Sequence, residues 1–197
     1  MNVKITTEQI KELREQTGVS IMLCRKALEE AGGDMEKAKV ILRRKGADAA
    51  AKKADRTLGA GTVASYIHQG GEVGTLVLLS CETDFVSGNE QFKKLAYDIA
   101  MHVAAASPEF VRSEDVPEEA KAAMREAMQK EVEGKPKEMQ EKILSGKLDA
   151  YFRERVLLEQ PFIKNTDVTI RGLIEEAIQK FGEKVEVVRF ERFSARK

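Results

Sequence analysis

Apolar residues first recur at helical intervals. Ile10 and Leu13 keep that spacing behind a capping-box pair, Thr6 with Gln9, until Gly18 supplies a stop. Ser20 can cap a second helix, in which Ile21, Cys24, Leu28 and Ala31 share a face as far as Gly32 and Gly33. Asp34 can cap a third, lined by Met35, Ala38, Ile41 and Leu42 and ending near Gly46. Three such helices predict a compact bundle of roughly 45 residues, close to the lower limit for independent folding, suited to a docking module.

From Ala47 to Thr57 the chain is rich in Ala and Lys and almost without large apolar residues, the pattern of an exposed helical linker. The period then changes. Thr62–His68 is β-branched and aromatic at alternate positions, Gly70 and Gly71 form a turn pair, and Val73–Glu82 resumes strand character, which together predict a β-hairpin. Leu76, Val77, Leu78 and Leu79 follow one another in the second strand, so both of its faces are expected to be covered in the middle, by a helix or a second subunit.

Asn89 can cap a long helix carrying Phe92, Leu95, Ala96, Ile99, Ala100 and Val103, which ends before Pro108. Val116–Leu158 reads as charged amphipathic helices, interrupted at Gly134 and Pro136 and around Gly146, before Pro161 ends the run. Thr169–Phe181 returns to helical spacing, Gly182 closes it, and Val185, Val187, Arg189, Glu191 and Arg192 mix into a last strand that can join the hairpin. The order of elements predicts an α+β fold: an N-terminal three-helix module (1–46), a helical linker (47–57), and a core (58–197) in which helices cover a small antiparallel sheet of about three strands.

Composition narrows the function. The 197 residues carry 33 Lys and Arg against 33 Asp and Glu, so no global field favours nucleic acid or an anionic membrane, and a protein partner fits the balance. A local basic excess, eight residues against three acidic ones between Met35 and Thr57, has no interleaved aromatic to stack on bases and reads as a solvated face. Cys24 and Cys81 have neither disulfide-framework nor metal spacing, which suits a reducing cytoplasm. The N-terminus has no signal-peptide pattern, and no stretch reaches the roughly 18 apolar residues of a spanning helix.

Candidate chemistry is sparse. His68 and His102 have no motif partners, Glu82 with Asp84 is an incomplete acid–base or metal pair, and Gly70, Gly71 and Gly74 are explained by the hairpin rather than by a phosphate loop. His102 follows the apolar stripe of its helix, as a packed histidine would. No catalytic group, metal site or cofactor is therefore expected. The segment Cys81–Asn89 stands out because periodicity breaks there, and the residues alone leave two readings of Phe85 open. It can fold back onto its own core, or stand out beside Asp84 as an anchor on a short rigid turn. The two predict opposite exposure.

Several separated blocks carry a resemblance to the elongation factor Ts family, exchange factors for elongation factor Tu. Ile10–Gly18 and Cys24–Gly33 resemble its N-terminal ubiquitin-associated-like module, and the hairpin with Cys81–Val86 resembles its core signature. Ile99–His102, Gly134–Lys137 and Gln160–Phe162 are similar to it as well. At Ser87 and Gly88, where the family commonly has an alanine and a basic residue, this chain departs, which predicts a looser loop. By ending soon after Arg196 it resembles the short form with one core subdomain, whose members pair as homodimers.

The resemblance implies a cytoplasmic, non-enzymatic guanine nucleotide exchange factor that binds GDP-bound and nucleotide-free elongation factor Tu and acts as a homodimer, with no membrane or direct nucleic-acid role. It implies that Asp84 and Phe85 insert beside the magnesium and phosphate region of the partner and promote GDP release. Thr83 and Val86 would shape that loop and Leu13 would take part in docking, with Val73, Gly74 and His102 as weaker partner-binding positions. Two other readings remain at this point: an adaptor using only the three-helix bundle, and a nucleic-acid binder using Lys39–Arg56.

Overall fold

The structure, a computed structural model, describes residues 5–133 and 136–195. Three helices come first: α1 (Thr7–Thr17), α2 (Ile21–Glu30) and α3 (Met35–Ala51). The hairpin strands β1 (Ala60–Ile67) and β2 (Val73–Cys81) follow, then a short α4 (Asp84–Ser87) and the long α5 (Glu90–Ala106). After these come α6 (Glu118–Gln129), α7 (Lys137–Arg153), a ribbon of β3 (Pro161–Phe162) with β4 (Asn165–Thr169), α8 (Ile170–Phe181) and β5 (Val185–Ser194). Strands β1, β2 and β5 lie in that order in one antiparallel sheet, so the fold is α+β, with the N-terminal helices ahead of the sheet, as the spacing predicts.

Contacts divide the chain into two compact units, the first made of Met1–Ala64, Leu78–Ala96 and Arg171–Val187. The helix ends in it follow local chemistry. Thr6 and Gln9 exchange the two hydrogen bonds of a capping box, Ser20 accepts from the Leu23 N–H, and Asp34 accepts from the Lys37 N–H. Leu13, Val19, Cys24, Ala27, Leu28, Ala38 and Leu42 form the bundle core, with Ile10, Met35 and Ile41 against it. Ile21 is not part of that core: placed in the first turn of α2, it is exposed together with Met22.

The third helix also runs past its expected end at Gly46, to Ala51. Gly46 is buried within the helix, where a Cβ would meet the Glu175 carbonyl oxygen of α8 at an ordinary 3.4 Å, and the glycine does not stop the helix. Beyond Ala51 the chain turns. Lys184 Nζ donates to the Ala54 carbonyl at 2.7 Å and Arg56 pairs with Glu82, so residues 52–56 are fastened to the same unit. Phe92 of α5 meets Phe181 of α8 edge to face, with ring centroids 6.0 Å apart.

The second unit comprises Ser65–Val77, Tyr97–Ile170 and Val188–Lys197. Gly70 (φ 93°) and Gly71 (φ 73°) make the hairpin turn, a conformation side chains resist. Alternation along β2 leaves Val77 and Leu79 buried, while on the other face Leu76 is 45% exposed, Leu78 half-buried and Ser80 buried. Helix α7 continues through Gly146, which faces open space, so the expected break is absent. Gly134, the other expected interruption, lies outside the described residues. The β3–β4 ribbon has no counterpart in the periodicity: β3 is two residues long and starts with a proline.

His102 anchors this unit. It is wholly buried, its Nδ1 accepts from the Ile163 N–H at 3.4 Å, and its Nε2 lies 2.8 Å from Gln160 Oε1. Gln160 Nε2 donates to the Glu154 carbonyl, which fixes the amide orientation and makes His102 Nε2 the protonated nitrogen. The Phe162 ring packs at 6.1 Å. The histidine of the apolar stripe is thus a satisfied core residue linking α5 to the segment before β3.

Burial pushes the His102 imidazole below its ordinary value of 6.5, outweighing the opposite effect of Gln160. The unfolded chain therefore takes up this proton first as pH falls, so the stabilisation is complete above 6.5 and is lost as pH drops through the lowered value. His102→Ala should reduce unfolding free energy by about 3 kcal/mol in urea titrations at pH 7.5. Between pH 6.5 and 5.5 the unsubstituted protein should lose stability more steeply than His102→Gln.

Candidate functional site

The strand-to-helix junction after β2 lies in the first unit and is ordered by side chains distant in sequence. Thr83 takes the N-cap position of α4 with extended backbone, φ −127° and ψ 157°. Ser87 N–H and Gly88 N–H close the turn onto the Thr83 and Asp84 carbonyls at 3.2 and 2.9 Å. Asn89 then accepts from the Gln91 N–H at the start of α5. Between these two ends stand Asp84, exposed, and Phe85, 83% exposed, while Val86 is buried under them.

The exposure decides between the two readings of Phe85. Its ring does not fold back; Val86 fills the core position instead. Burying a Phe side chain is worth about 1.5–3 kcal/mol, and a four-residue helix presents one to solvent with that stabilisation unused.

Ser87 and Gly88 both lie within the turn. Ser87 Oγ donates to the Asp84 carbonyl at 3.1 Å, and Gly88 has ordinary right-handed helical backbone, φ −73°. Both residues continue a helical turn.

Two glutamates hold the base of the tip. Glu183 Oε2 accepts from the Glu82 and Thr83 N–H groups at 3.1 and 3.0 Å, and Glu183 Oε1 accepts from the Thr83 hydroxyl at 2.6 Å. In return Glu82 Oε1 accepts from the Lys184 N–H at 2.6 Å, and the Arg56 guanidinium donates to both Glu82 oxygens. The Lys184 N–H first, and Arg56 after it, hold the Glu82 carboxyl below its ordinary value of 4.5. That contribution is present above pH 4.5 and is lost as pH falls through the lowered value.

Cys81 Sγ lies 3.1 Å from the Thr83 carbonyl under the tip, and burial, reinforced by Glu183, pushes its thiol up. Burial pushes Cys24 up as well, and both cysteines are free, so neither has the character of an activated thiolate. Among the described residues no group of three His, Cys, Asp or Glu is placed to hold a metal ion.

The remaining predicted positions do not join the tip. Leu13 is in the bundle core and His102 in the core of the second unit, both with 0% exposure. Val73 is nearly buried and lines a cleft of about 590 Å³ with Tyr66, His68, Met101 and Arg192. Gly74 lines another with Ile67, Leu76 and Phe193, where a Cβ would come within 2.7 Å of Ile67 Cδ1. Arg56, Glu183 and Lys184 are the members of the tip that sequence reasoning missed. Arg56 reads as one of a run of cations and Glu183 as an ordinary turn residue after Gly182, so no local pattern could have marked them.

The junction after β2 thus presents an aromatic ring and a carboxylate side by side on a braced turn. Comparison with known proteins gives the family. A model described as Elongation factor TS matches residues 36–197. Elongation factor Ts of Carboxydothermus hydrogenoformans is 53% identical over 191 residues, covering 96% of this chain and 88% of that one. Elongation factor Ts of Moorella thermoacetica is 49% identical, covering 96% and 94%. The chain belongs to the elongation factor Ts family. No described helix is long and apolar enough to cross a membrane.

Exposure separates the two central residues of the tip by the cost of truncating them. Phe85→Ala should change unfolding free energy by less than about 0.5 kcal/mol, whereas Val86→Ala should lower it by about 2 kcal/mol. Denaturant titration of the two proteins side by side measures the difference.

Proposed function

We propose that this protein is the guanine nucleotide exchange factor of elongation factor Tu, and that Asp84 and Phe85 enter the partner beside its magnesium and phosphate region. The observation that carries the reading is the bare Phe85 ring on a turn braced by Glu183 and Glu82. A side chain already held in the open loses little freedom on binding, so most of its burial energy is available to the complex. That energy, about 1.5–3 kcal/mol, is of the order of the coupling that makes two ligands mutually antagonistic, about 1–3 kcal/mol. A bound cation is often the largest charge in a phosphate site, so displacing its surroundings weakens nucleotide binding, GDP leaves and GTP can enter. No bond is made or broken.

In this reading residues 1–46 are a ubiquitin-associated-like docking module, 47–57 a linker, and 58–197 the core and dimerisation domain. Exposed Ile21 and Met22 on α2 support docking by the module, with Leu13 acting through the packing that positions them. Thr83 and Val86 shape the tip. Val73, Gly74 and His102 serve binding through the surfaces they build.

A second copy of the chain fits the open sheet face of the second unit. Ile67, Leu76 and Phe193 are 65%, 45% and 67% exposed there and line one cleft, a concentration of apolar surface that a homodimer would cover. We assign the protein to the cytoplasm, where its partner acts in translation elongation. In this reading the chain carries no metal or cofactor of its own and makes no direct nucleic-acid contact.

Release of fluorescent GDP from elongation factor Tu tests the reading. The intact chain should accelerate release, and Asp84→Ala and Phe85→Ala should each lower the accelerated rate at least about tenfold. Full rates in both variants would remove the tip from the mechanism, and no acceleration by the intact chain would favour an adaptor that uses the bundle alone. His102→Ala should weaken the complex in a titration, and unchanged affinity would exclude it. Sedimentation should give a dimer that Phe193→Asp converts to monomer.

A further inference from the structure

Thr83 holds an N-cap position without capping. The backbone of Thr83 is extended as an N-cap requires, yet its hydroxyl makes no bond to an α4 N–H and instead donates to Glu183 at 2.6 Å. An N-cap threonine bond is ordinarily worth about 1 kcal/mol to its helix. A helix of four residues has no stability of its own to lose, so its direction is set by whatever holds its first residue. That group is Glu183, which also takes the N–H groups of Glu82 and Thr83.

We propose that Glu183 is a positioning residue for nucleotide exchange: its carboxylate sets the direction in which Asp84 and Phe85 leave the end of β2. The inference rests on the tip reading of the preceding subsection. Three donors converge on one carboxylate from two consecutive residues, fixing both the peptide plane before Thr83 and the Thr83 side-chain rotamer. Glu82 locks the reverse side by accepting the Lys184 N–H, so neither strand end can rotate without breaking bonds on the other. A glutamate that merely stapled β2 to β5 would affect stability alone. A positioning glutamate affects how fast a docked complex releases GDP, because misplacement of a reacting contact by about 1 Å costs up to about a hundredfold.

The test measures GDP release across a range of factor concentrations, at a temperature where circular dichroism shows every variant folded. Glu183→Ala should lower the saturating rate about tenfold or more while the half-saturating concentration changes less than about threefold, since other surfaces still dock. Glu183→Gln can still accept the two N–H bonds and donate to the Thr83 hydroxyl, so it should stay within about threefold of the unsubstituted rate. Thr83→Val, which keeps the shape and drops the hydroxyl, should slow release about threefold or more. In a Phe85→Ala background Glu183→Ala should add less than about twofold, because a tip without its ring has little left to aim.

Should Glu183→Ala reach the full saturating rate while Phe85→Ala is slow, the positioning role is overturned and the tip reading stands. Equal losses from Glu183→Ala with and without Phe85 overturn it too. If Phe85→Ala itself keeps the full rate, the tip reading fails and the Glu183 inference fails with it. Any variant that does not fold is replaced by Thr83→Val, whose full rate would by itself overturn the proposal.

Discussion

An exchange of hydrogen bonds between two pairs of neighbouring residues, Glu82 with Thr83 and Glu183 with Lys184, holds the tip of this protein in place. Each carboxylate satisfies backbone donors of the opposite segment, which would otherwise be loose strand ends beside a turn. Charge-assisted bonds of this kind are about twice as strong as neutral ones, and here they are shared with an arginine from the segment after α3. A four-residue helix could not keep an aromatic ring in water on its own. The braced base is what allows Val86 to be core and Phe85 to be surface one residue apart.

The second unit relies on a comparable economy of polar groups. His102 and Gln160 are buried, and the bonds that chain them together run in one direction: Ile163 to His102, His102 to Gln160, Gln160 to Glu154. Such a chain tolerates no substitute that reverses a donor and an acceptor, and it ties α5 to the short segment leading into β3. The buried imidazole is part of the packing of the unit.

Much of the fold was legible from local patterns. Thr6, Ser20 and Asp34 cap helices because their side chains reach N–H groups three residues on, and the two-residue Gly70–Gly71 turn needs no distant partner. Misreadings arose where a residue answered to a distant contact. Gly46 resembles a helix stop, but α8 packs against it, and Ile21 has core spacing, yet the bundle leaves it in solvent. The two-residue β3 is too short to show any period.

At the tip the division is sharpest. The chain alone marked Cys81–Asn89 as a break between a strand and a capped helix, since periodicity and the Asn89 cap are properties of adjacent residues. It left Phe85 undecided between core and surface, because a ring at such a junction can turn either way at similar local cost. Only the tertiary structure decided the matter, by bringing Glu183 to Thr83 and Arg56 to Glu82, 100 and 26 positions apart along the chain. Sequence specifies what each residue can donate, accept or bury; which partner answers is settled when distant strand ends meet.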